Sequence, residues 1–378
     1  MKIRIDARAR ARAAAAALAC AALAAPAGAA DGFKLRFPLS GTLGGEIVAP
    51  VKGGWFSSVA VTRVDVDKVT DDSGNQRLQA VAGTFATPTP VAGAIRTASY
   101  SGAVLYDAKI TYTLVNLLAG YTSTDTYGGG RLTAAVNLPY AFNFNRKVTL
   151  SGTTPTLSTL APALTTPPLP AGTAAAAQAS SQAGFSAAYQ ASLAAQSAKA
   201  TSEYNGAGDG EISAAWVYAQ DGLKVVAGMT LVLPTGNYDA TNPPNIGFGN
   251  YTTVRPGLGV AYQLASSLTL GARGSVGFNS RNKDNGVRSG DYGVLDLALA
   301  WRAPIGVFGP HFIKLQQFED DDGGTLGPNR LLLTSAGVFF TTLIPGIEAG
   351  LNLSYMKVLK SANSLSGSFV QARLSKAF

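Results

Sequence analysis

The chain ends on an aromatic residue, Phe378, and the residues before it alternate. Phe378, Leu374, Ala372 and Val370 fall on one face of an extended segment. Ser375, Arg373 and Gln371 fall on the other, with Lys376 interrupting the apolar face near the end. This is the period of two that gives a strand one oily side and one wet side. A strand of that kind ending in a C-terminal aromatic is suited to closing a bacterial outer-membrane barrel. A bilayer admits only helices and closed β-barrels, because its core has no water to satisfy unpaired backbone groups. The expected fold class is all-β, a transmembrane antiparallel β-barrel with an Ala-rich helical insertion.

The other end of the chain is consistent with export. Lys2, Arg4, Arg8, Arg10 and Arg12 form a basic region diluted by Asp6. Ala13 to Ala25 is apolar but too short to span a membrane, and Pro26 breaks it. Ala27-Gly28-Ala29 fits a small-residue cleavage site, so residues 1–29 are read as a signal peptide, and 30–52 as a periplasmic N-terminal segment. Cys20 is the single cysteine, and Ala17 stands where a lipoprotein signal needs Leu. A processed chain then has neither disulfides nor thiolate metal sites.

The net charge of +8 falls by half once the leader is removed, a mild excess that gives no reason to expect a nucleic-acid partner. Charged residues make up only 14%, against about 25% in soluble proteins. No further stretch of about 20 apolar residues exists, so helical spans are not expected. Low charge, 43 glycines and many alternating segments suit a barrel.

The alternation is clear in several places. Val104, Tyr106, Ala108, Ile110, Tyr112 and Leu114 oppose Asp107, Lys109, Thr111 and Thr113. Leu268, Leu270, Ala272, Val276 and Phe278 oppose Thr269, Arg273, Ser275 and Asn279. Ile347, Ala349, Leu351, Leu353 and Tyr355 oppose Glu348, Asn352 and Ser354. Each run matches the roughly 9–11 residues of a tilted membrane strand. Tight turns at Gln220-Asp221-Gly222, Ala265-Ser266-Ser267, Ala303-Pro304 and Pro345-Gly346 alternate with long loops at 234–250, 279–291 and 318–329. The barrel is placed at 53–378, with twelve strands near 53–68, 99–117, 129–148, 210–220, 223–233, 251–263, 267–279, 289–302, 307–319, 329–342, 346–359 and 365–378. Residues 77–95 form another hairpin or pack in the lumen.

An insertion at 151–205 breaks the pattern. Pro155 to Pro170 cannot be a central strand. Ala171 to Ala200 is rich in Ala, the best helix former, and Phe185, Tyr189 and Leu193 give it one apolar edge. It is either an excursion from an extracellular loop or a gate at the barrel mouth.

Catalytic chemistry is scarce. His311 is the only histidine and, just after Gly309-Pro310, reads as a polar residue at the periplasmic rim. No G-x-S-x-G, H-E-x-x-H or Walker loop is present. Glu319 with Asp320, Asp321 and Asp322 is a solvated acidic patch or, less simply, a hard-cation loop. No catalytic residue, metal or cofactor is expected.

The alternation sends Lys109, Lys224, Arg255, Arg273, Arg302, Lys314 and Arg373 toward the lumen, with Asp107, Glu211, Asp296 and Glu348. A basic side chain facing lipid at the midplane costs about 2–4 kcal/mol, which favours lumen placement. These groups either pair or tune a path for anions. Tyr292, Phe312 and Phe318 are added as aromatic contacts on the path.

Ordered motifs carry a family resemblance from about Gly206 onward. They are Gly208-Asp209; Pro234, Thr235, Gly236 and Tyr238; Asn250 to Gly257; Ser289 to Tyr292; and Gly309 to Asp321. Over nearly half its length the chain resembles the outer-membrane transporter family named after the meta-cleavage pathway of phenol degradation. The resemblance implies a bacterial outer-membrane barrel with an uptake role, often for aromatic or other hydrophobic compounds. Expected partners are outer-membrane lipid, the barrel-assembly machinery reading Phe378, and a small-molecule substrate. The expected function is passive uptake of small organic compounds. The rival readings are a lipid-acting outer-membrane enzyme using His311 and a structural or adhesive barrel.

Overall fold

Alternating segments become long antiparallel strands in a computed structural model that describes residues 36, 43–87, 96–160, 171–239, 246–323 and 329–378. The signal peptide expected at 1–29 lies outside the described residues. The strands are β1 (Gly54–Val69), β2 (Leu78–Ala86), β3 (Thr97–Thr122), β4 (Arg131–Ser151), β5 (Ser202–Ala207), β6 (Glu211–Gln220) and β7 (Leu223–Val232). They continue as β8 (Thr253–Ala265), β9 (Leu268–Asn279), β10 (Tyr292–Ala303), β11 (Gly306–Gln317), β12 (Leu332–Ile344), β13 (Ala349–Ala362) and β14 (Leu365–Ala377). A single turn, α1 (Leu43–Glu46), precedes them, and α2 (Ala171–Ala200) lies between β4 and β5.

Each strand from β6 to β14 pairs with its sequence neighbour, β14 pairs with β1, β1 with β3, β3 with β4 and β4 with β6. These pairings close a ring of twelve antiparallel strands, and β2 and β5 add to it outside the ring. Closure leaves no free edge in lipid. At the seam of the chain ends, Phe56 faces Ala377, and the Phe378 N–H donates to the Trp55 carbonyl at 2.8 Å. The turn ends are tight. Asp221 and Gly222 both take left-handed angles, φ 52° and 78°, as a two-residue hairpin requires to match strand twist.

The exterior is an apolar belt. Leu117, Leu258, Met229, Val338 and Val370 are all exposed. At the turn end, aromatic pairs Trp55–Tyr121 and Trp301–Phe308, each 5.3 Å between ring centres, make a girdle. Among the described residues, no helix is long and apolar enough to cross a membrane.

The described chain divides into two compact units. One comprises 76–107 and 147–201, and the other holds the remaining residues. In the first, β2 pairs with the early part of β3, from Leu78↔Leu105 to Ala86↔Thr97, so the stretch 77–95 supplies one arm of a hairpin and β3 itself supplies the other. The apolar edge of α2 packs there. Phe185, Tyr189 and Leu193 are buried against Val81, Phe85, Tyr100 and Leu157. Gln178 and Gln182 of α2 bind the backbone of Pro155, Leu157 and Ser158, so side-chain amides satisfy a proline-rich segment that cannot join a sheet.

Several lumen assignments need correction. Lys314 and Phe312 face outward, because Ile313 and Leu315 on the same strand are the buried pair and Lys314 pairs in register with exposed Leu295. Phe318 lies in the loop just past β11 and is exposed. Both faces of β11 are apolar, so alternation alone does not say which is inner. Lys314 stands three residues from the loop end of its strand, where an outward charge costs only about 0–1 kcal/mol. Lys109 and Asp107 likewise lie opposite inward Ile110 and Tyr112. Their strand has 26 residues, far more than a bilayer crossing needs, so their outward placement is not in hydrocarbon. Glu348 is not on a strand. It sits exposed in the turn before β13 at φ 51°. Arg302 is exposed at the turn end of β10. His311 is not at a rim: β11 runs through Pro310, and the imidazole is buried in the middle of the wall.

Candidate functional site

The inner surface of the barrel carries two chemistries, and the N-terminal segment organises both. The described residues of the segment expected at the periplasmic side, Arg36 and Leu43 to Val48, lie inside the lumen. Leu43 and Ile47 are buried with Ala261, Ala298, Ala300 and Phe339, which come from three different strands. The approach is close enough that Gly44 abuts the Phe339 ring and Gly271 abuts Ile47, with no room for a Cβ at either glycine.

Glu46 is the polar end of this turn. Its carboxylate accepts from Arg273 Nη1 and Arg373 Nη1, each at 2.9 Å. Its backbone carbonyl accepts from Lys224 Nζ at 2.7 Å, and that of Ala49 does so at 3.1 Å. Three strands, β7, β9 and β14, thus hold one short turn. Arg273 also donates to Asp296 at 2.6 Å, and Asp296 in turn meets His311 Nε2. The His311 ring stands edge-on to Phe339, 6.5 Å between centres. Burying such charges is costly unless each is paired, and here each acid meets a base.

Arg36 forms the second hub. Its Nε and Nη2 donate to Asp209 at 3.0 and 2.8 Å, and Nη2 also donates to Gly249 O at 2.9 Å. Nη1 donates to Tyr251 O, and the guanidinium lies 3.8 Å from the Tyr251 ring centre. The Arg36 carbonyl accepts from Arg255 Nη1 at 2.8 Å and from the Tyr292 hydroxyl. Arg255 pairs with Glu211 at 3.0 Å. Asp209 further accepts backbone N–H groups of Gly236 and Phe248 at 3.1 and 2.9 Å. Arg36 and Asp209 are almost fully buried, 2% and 3% exposed in their side chains. The motif residues Asp209, Gly236, Tyr251, Thr253, Arg255 and Tyr292, scattered in sequence, therefore meet around one arginine that no motif contained.

Two cavities border these hubs. One, of about 290 Å³, is mainly apolar, with Tyr112, Leu114, Phe144, Ile246, Leu315 and Met356 among its lining. Tyr112 and Phe144 stack at 5.0 Å, and Phe144 meets Tyr204 at 4.8 Å. The other, of about 260 Å³, is bordered by Glu46, Lys224, Arg255 and Arg273. Glu211 lines the first and its partner Arg255 the second, so this ion pair stands between them.

At the loop end of the barrel, the acidic run is paired. Glu319 meets Arg288 at 3.0 Å and Asp320 meets Arg330 at 2.9 Å. Asp321 accepts from the Gly290 N–H and Gln317 Nε2, each at 2.7 Å, and Asp322 meets Arg281. Partial burial works to lower the Arg288 pKa, but the charges of Asp291 and Glu319 outweigh it and raise it above the ordinary value. Among the described residues, no group of three or more metal-ligating side chains occurs. The run staples loops together.

Of the sequence-derived lumen residues, Lys224, Arg255, Arg273, Asp296, Arg373 and Tyr292 join the two hubs, and Glu211 with them. Lys314, Arg302, Glu348, Phe312 and Phe318 do not. Arg36, Glu46 and Asp209 were missed as site residues. The signal available for them was indirect: a buried basic cluster needs acids, and the inner face alone supplies too few.

A family model described as "Putative MetA-pathway of phenol degradation" matches residues 101–373. Among solved structures, an outer membrane channel from Pseudomonas putida F1 superposes with a TM-score of 0.59 at 15% identity, covering 88% of this chain and 98% of that one. At that identity the likeness establishes the fold. A FadL homologue from Pseudomonas aeruginosa gives 0.36 at 9% identity, covering 91% and 98%. The CymD monoaromatic hydrocarbon channel gives 0.37 at 11%, covering 90% and 94%. Neither of the last two scores carries an argument. No curated protein matches the sequence. The closed ring, apolar belt and aromatic girdle are those of a bacterial outer-membrane barrel.

Proposed function

The chain belongs to the family of the phenol-degradation description, whose model spans most of it, and on that premise we propose that it is an outer-membrane channel for passive uptake of small, uncharged, apolar organic compounds, aromatic rings among them. The observation that carries this reading is the cavity walled by Tyr112, Phe144 and aliphatic side chains, set beside charged groups that are paired with one another. A pore for hydrophilic solutes has no use for such a wall. The charges beside it are matched: Arg36 with Asp209, Arg255 with Glu211, Arg373 with Glu46, and Arg273 with Glu46 and Asp296. They leave little net field to attract an ion.

The affinity fits passage. Burying about 150 Å² of ligand surface at about 25 cal/mol/Å² yields roughly 4 kcal/mol, a millimolar constant. Binding of that strength lets a solute enter and leave. Lys224, Arg255, Arg273, Asp296, Arg373 and Tyr292 act by holding the N-terminal segment that shapes the cavity. The barrel-assembly machinery recognises the terminal strand through Phe378. No catalytic role is assigned to His311, which is buried against Asp296 and does not stand at the lipid-facing rim.

Purified protein in liposomes tests the reading. A neutral naphthalene-class probe should cross faster than in empty vesicles, while sugars of similar size should not. Fast sugar flux with no gain for the apolar probe would replace the reading with that of a general porin.

A further inference from the structure

The outer wall carries a cluster of positive charge on a sheet without acids. Neither β11, β12 nor β13 contains an aspartate or glutamate. Lys314 faces outward from β11, and Lys357 from β13, since its neighbours Met356 and Val358 line the apolar cavity inside. Counted from the turn end, each is the ninth residue of its strand. A tilted strand leaves the hydrocarbon after about 9–11 residues, so both ammonium groups stand where the outer leaflet meets its headgroups.

Lys360 joins them through an irregularity. Simple alternation from Lys357 would send it to the inner face. A register shift intervenes: Ser335 pairs with Val358 but Thr334 with Lys360, which leaves Leu359 as an extra residue. Leu333 and Ser335 line the cavity, so Thr334 between them faces out. Directly opposed residues share a face, and the bulge therefore turns Lys360 outward as well. Thr334 also pairs with Lys314 on its other side. The Cα atoms of Lys314 and Lys360 are thus about 10 Å apart, two strand spacings. All three lysines are exposed.

No acid of the protein answers this cluster. Among the described residues none forms an ion pair with any of the three lysines. The arginines of the loop end differ, for Arg281, Arg288 and Arg330 each hold an acid. Toward the turn end the same wall is apolar, with Leu295, Val338 and Tyr355 exposed. The surface is cationic at headgroup height and oily beneath, which complements a lipid with an anionic head.

We propose that Lys314, Lys357 and Lys360 form a binding site for an outer-leaflet glycolipid that bears more than one phosphate. Its acyl chains lie along the belt at Val338 and Tyr355. Its phosphates take the lysines, with the Thr334 hydroxyl as a donor between Lys314 and Lys360. Cations spread over about 10 Å exceed what a single phosphate can meet, which favours a head carrying several. The site makes no demand on the lumen, so it stands or falls apart from the uptake reading.

Native mass spectrometry of the purified barrel tests the site with three probes: a bis-phosphorylated diglucosamine lipid, its dephosphorylated form, and phosphatidylglycerol. The parent should retain the first about ten-fold better than the second, and better than the third. Lys314→Gln with Lys357→Gln and Lys360→Gln should abolish the preference. Lys52→Gln with Lys147→Gln and Lys283→Gln removes the same charge from exposed positions elsewhere and should leave it intact. The bis-phosphorylated lipid should also shield Lys314, Lys357 and Lys360 of the parent from acetylation, and not Lys283, a readout that needs no variant. Equal retention of the phosphorylated and dephosphorylated lipids overturns the site. Phosphatidylglycerol held as well as the bis-phosphorylated lipid overturns it too. So does full preference in the first variant, equal loss in the second, or acetylation of the three lysines at the rate of Lys283.

Discussion

Glu46, in the first turn of the described chain, and Arg373, in the last strand, meet at 2.9 Å inside the lumen. The same carboxylate reaches Arg273 at 2.9 Å, so one acid joins the N-terminal segment to two walls. Glu46 is 40% exposed, which limits each pair to about 1 kcal/mol or less.

Glu46→Gln should therefore loosen the segment without unfolding the barrel. The released state should gain roughly five-fold in population, because about 1 kcal/mol is lost. Single-channel recordings should show larger or more frequent open events. Mobility on an unboiled gel should match the parent. Unchanged currents would mean that the apolar contacts of Leu43 and Ile47 hold the segment alone.

The Arg36–Asp209 pair should behave differently, since both groups are buried. Asp209→Ala leaves a buried guanidinium without its counter-charge, at a cost of about 3–5 kcal/mol. It also orphans the Gly236 and Phe248 N–H groups. The expected outcome is new protease cleavage within 233–252 and a lower temperature for loss of the compact gel form. Parent-like resistance would contradict the hub.

In the unit containing α2, the Tyr189 hydroxyl is buried with no hydrogen-bond partner among the described residues, and burial first, then the neighbouring Tyr100, raises its pKa. The phenol must stay neutral to remain packed, so stability is intact below the unfolded value of about 10 and falls as pH rises above it. Tyr189→Phe removes both the unpaired group and the ionisation. The helical signal in circular dichroism should survive to higher pH in the variant. An identical alkaline transition would place the sensitivity elsewhere.

Phe378 lies at the seam of the chain ends, its N–H on the Trp55 carbonyl at 2.8 Å and its ring exposed. Deleting it should lower the yield of folded protein in the outer membrane while leaving refolding in detergent possible. Full yield of the deletion would show that the terminal aromatic is dispensable for assembly.

The strands were legible because lipid imposes a period of two on every span, and tight turns such as Asp221-Gly222 punctuate them. Orientation was less so. On β11 both Phe312 and Ile313 are apolar, because the inner face lines a cavity, and the alternation that works for a water-filled pore loses its sign. On β3 the apolar set was correct and its side reversed, for the same reason. The lumen segment was invisible. Leu43-Gly44-Gly45-Glu46 has no periodicity, and its role comes from charges hundreds of residues away. Gly309-Pro310 read as a boundary, yet the sheet runs through it and carries His311 into the wall.

Soaking crystals of the protein with a brominated naphthalene and locating the bromine by anomalous scattering tests the central claim most directly. The cavity reading places the bromine beside Tyr112 and Phe144, and Tyr112→Ala should weaken the site by about 0.5–1.5 kcal/mol, the worth of an aromatic pair. Bromine beside Glu46 and Lys224 instead, or none inside the barrel, would contradict it.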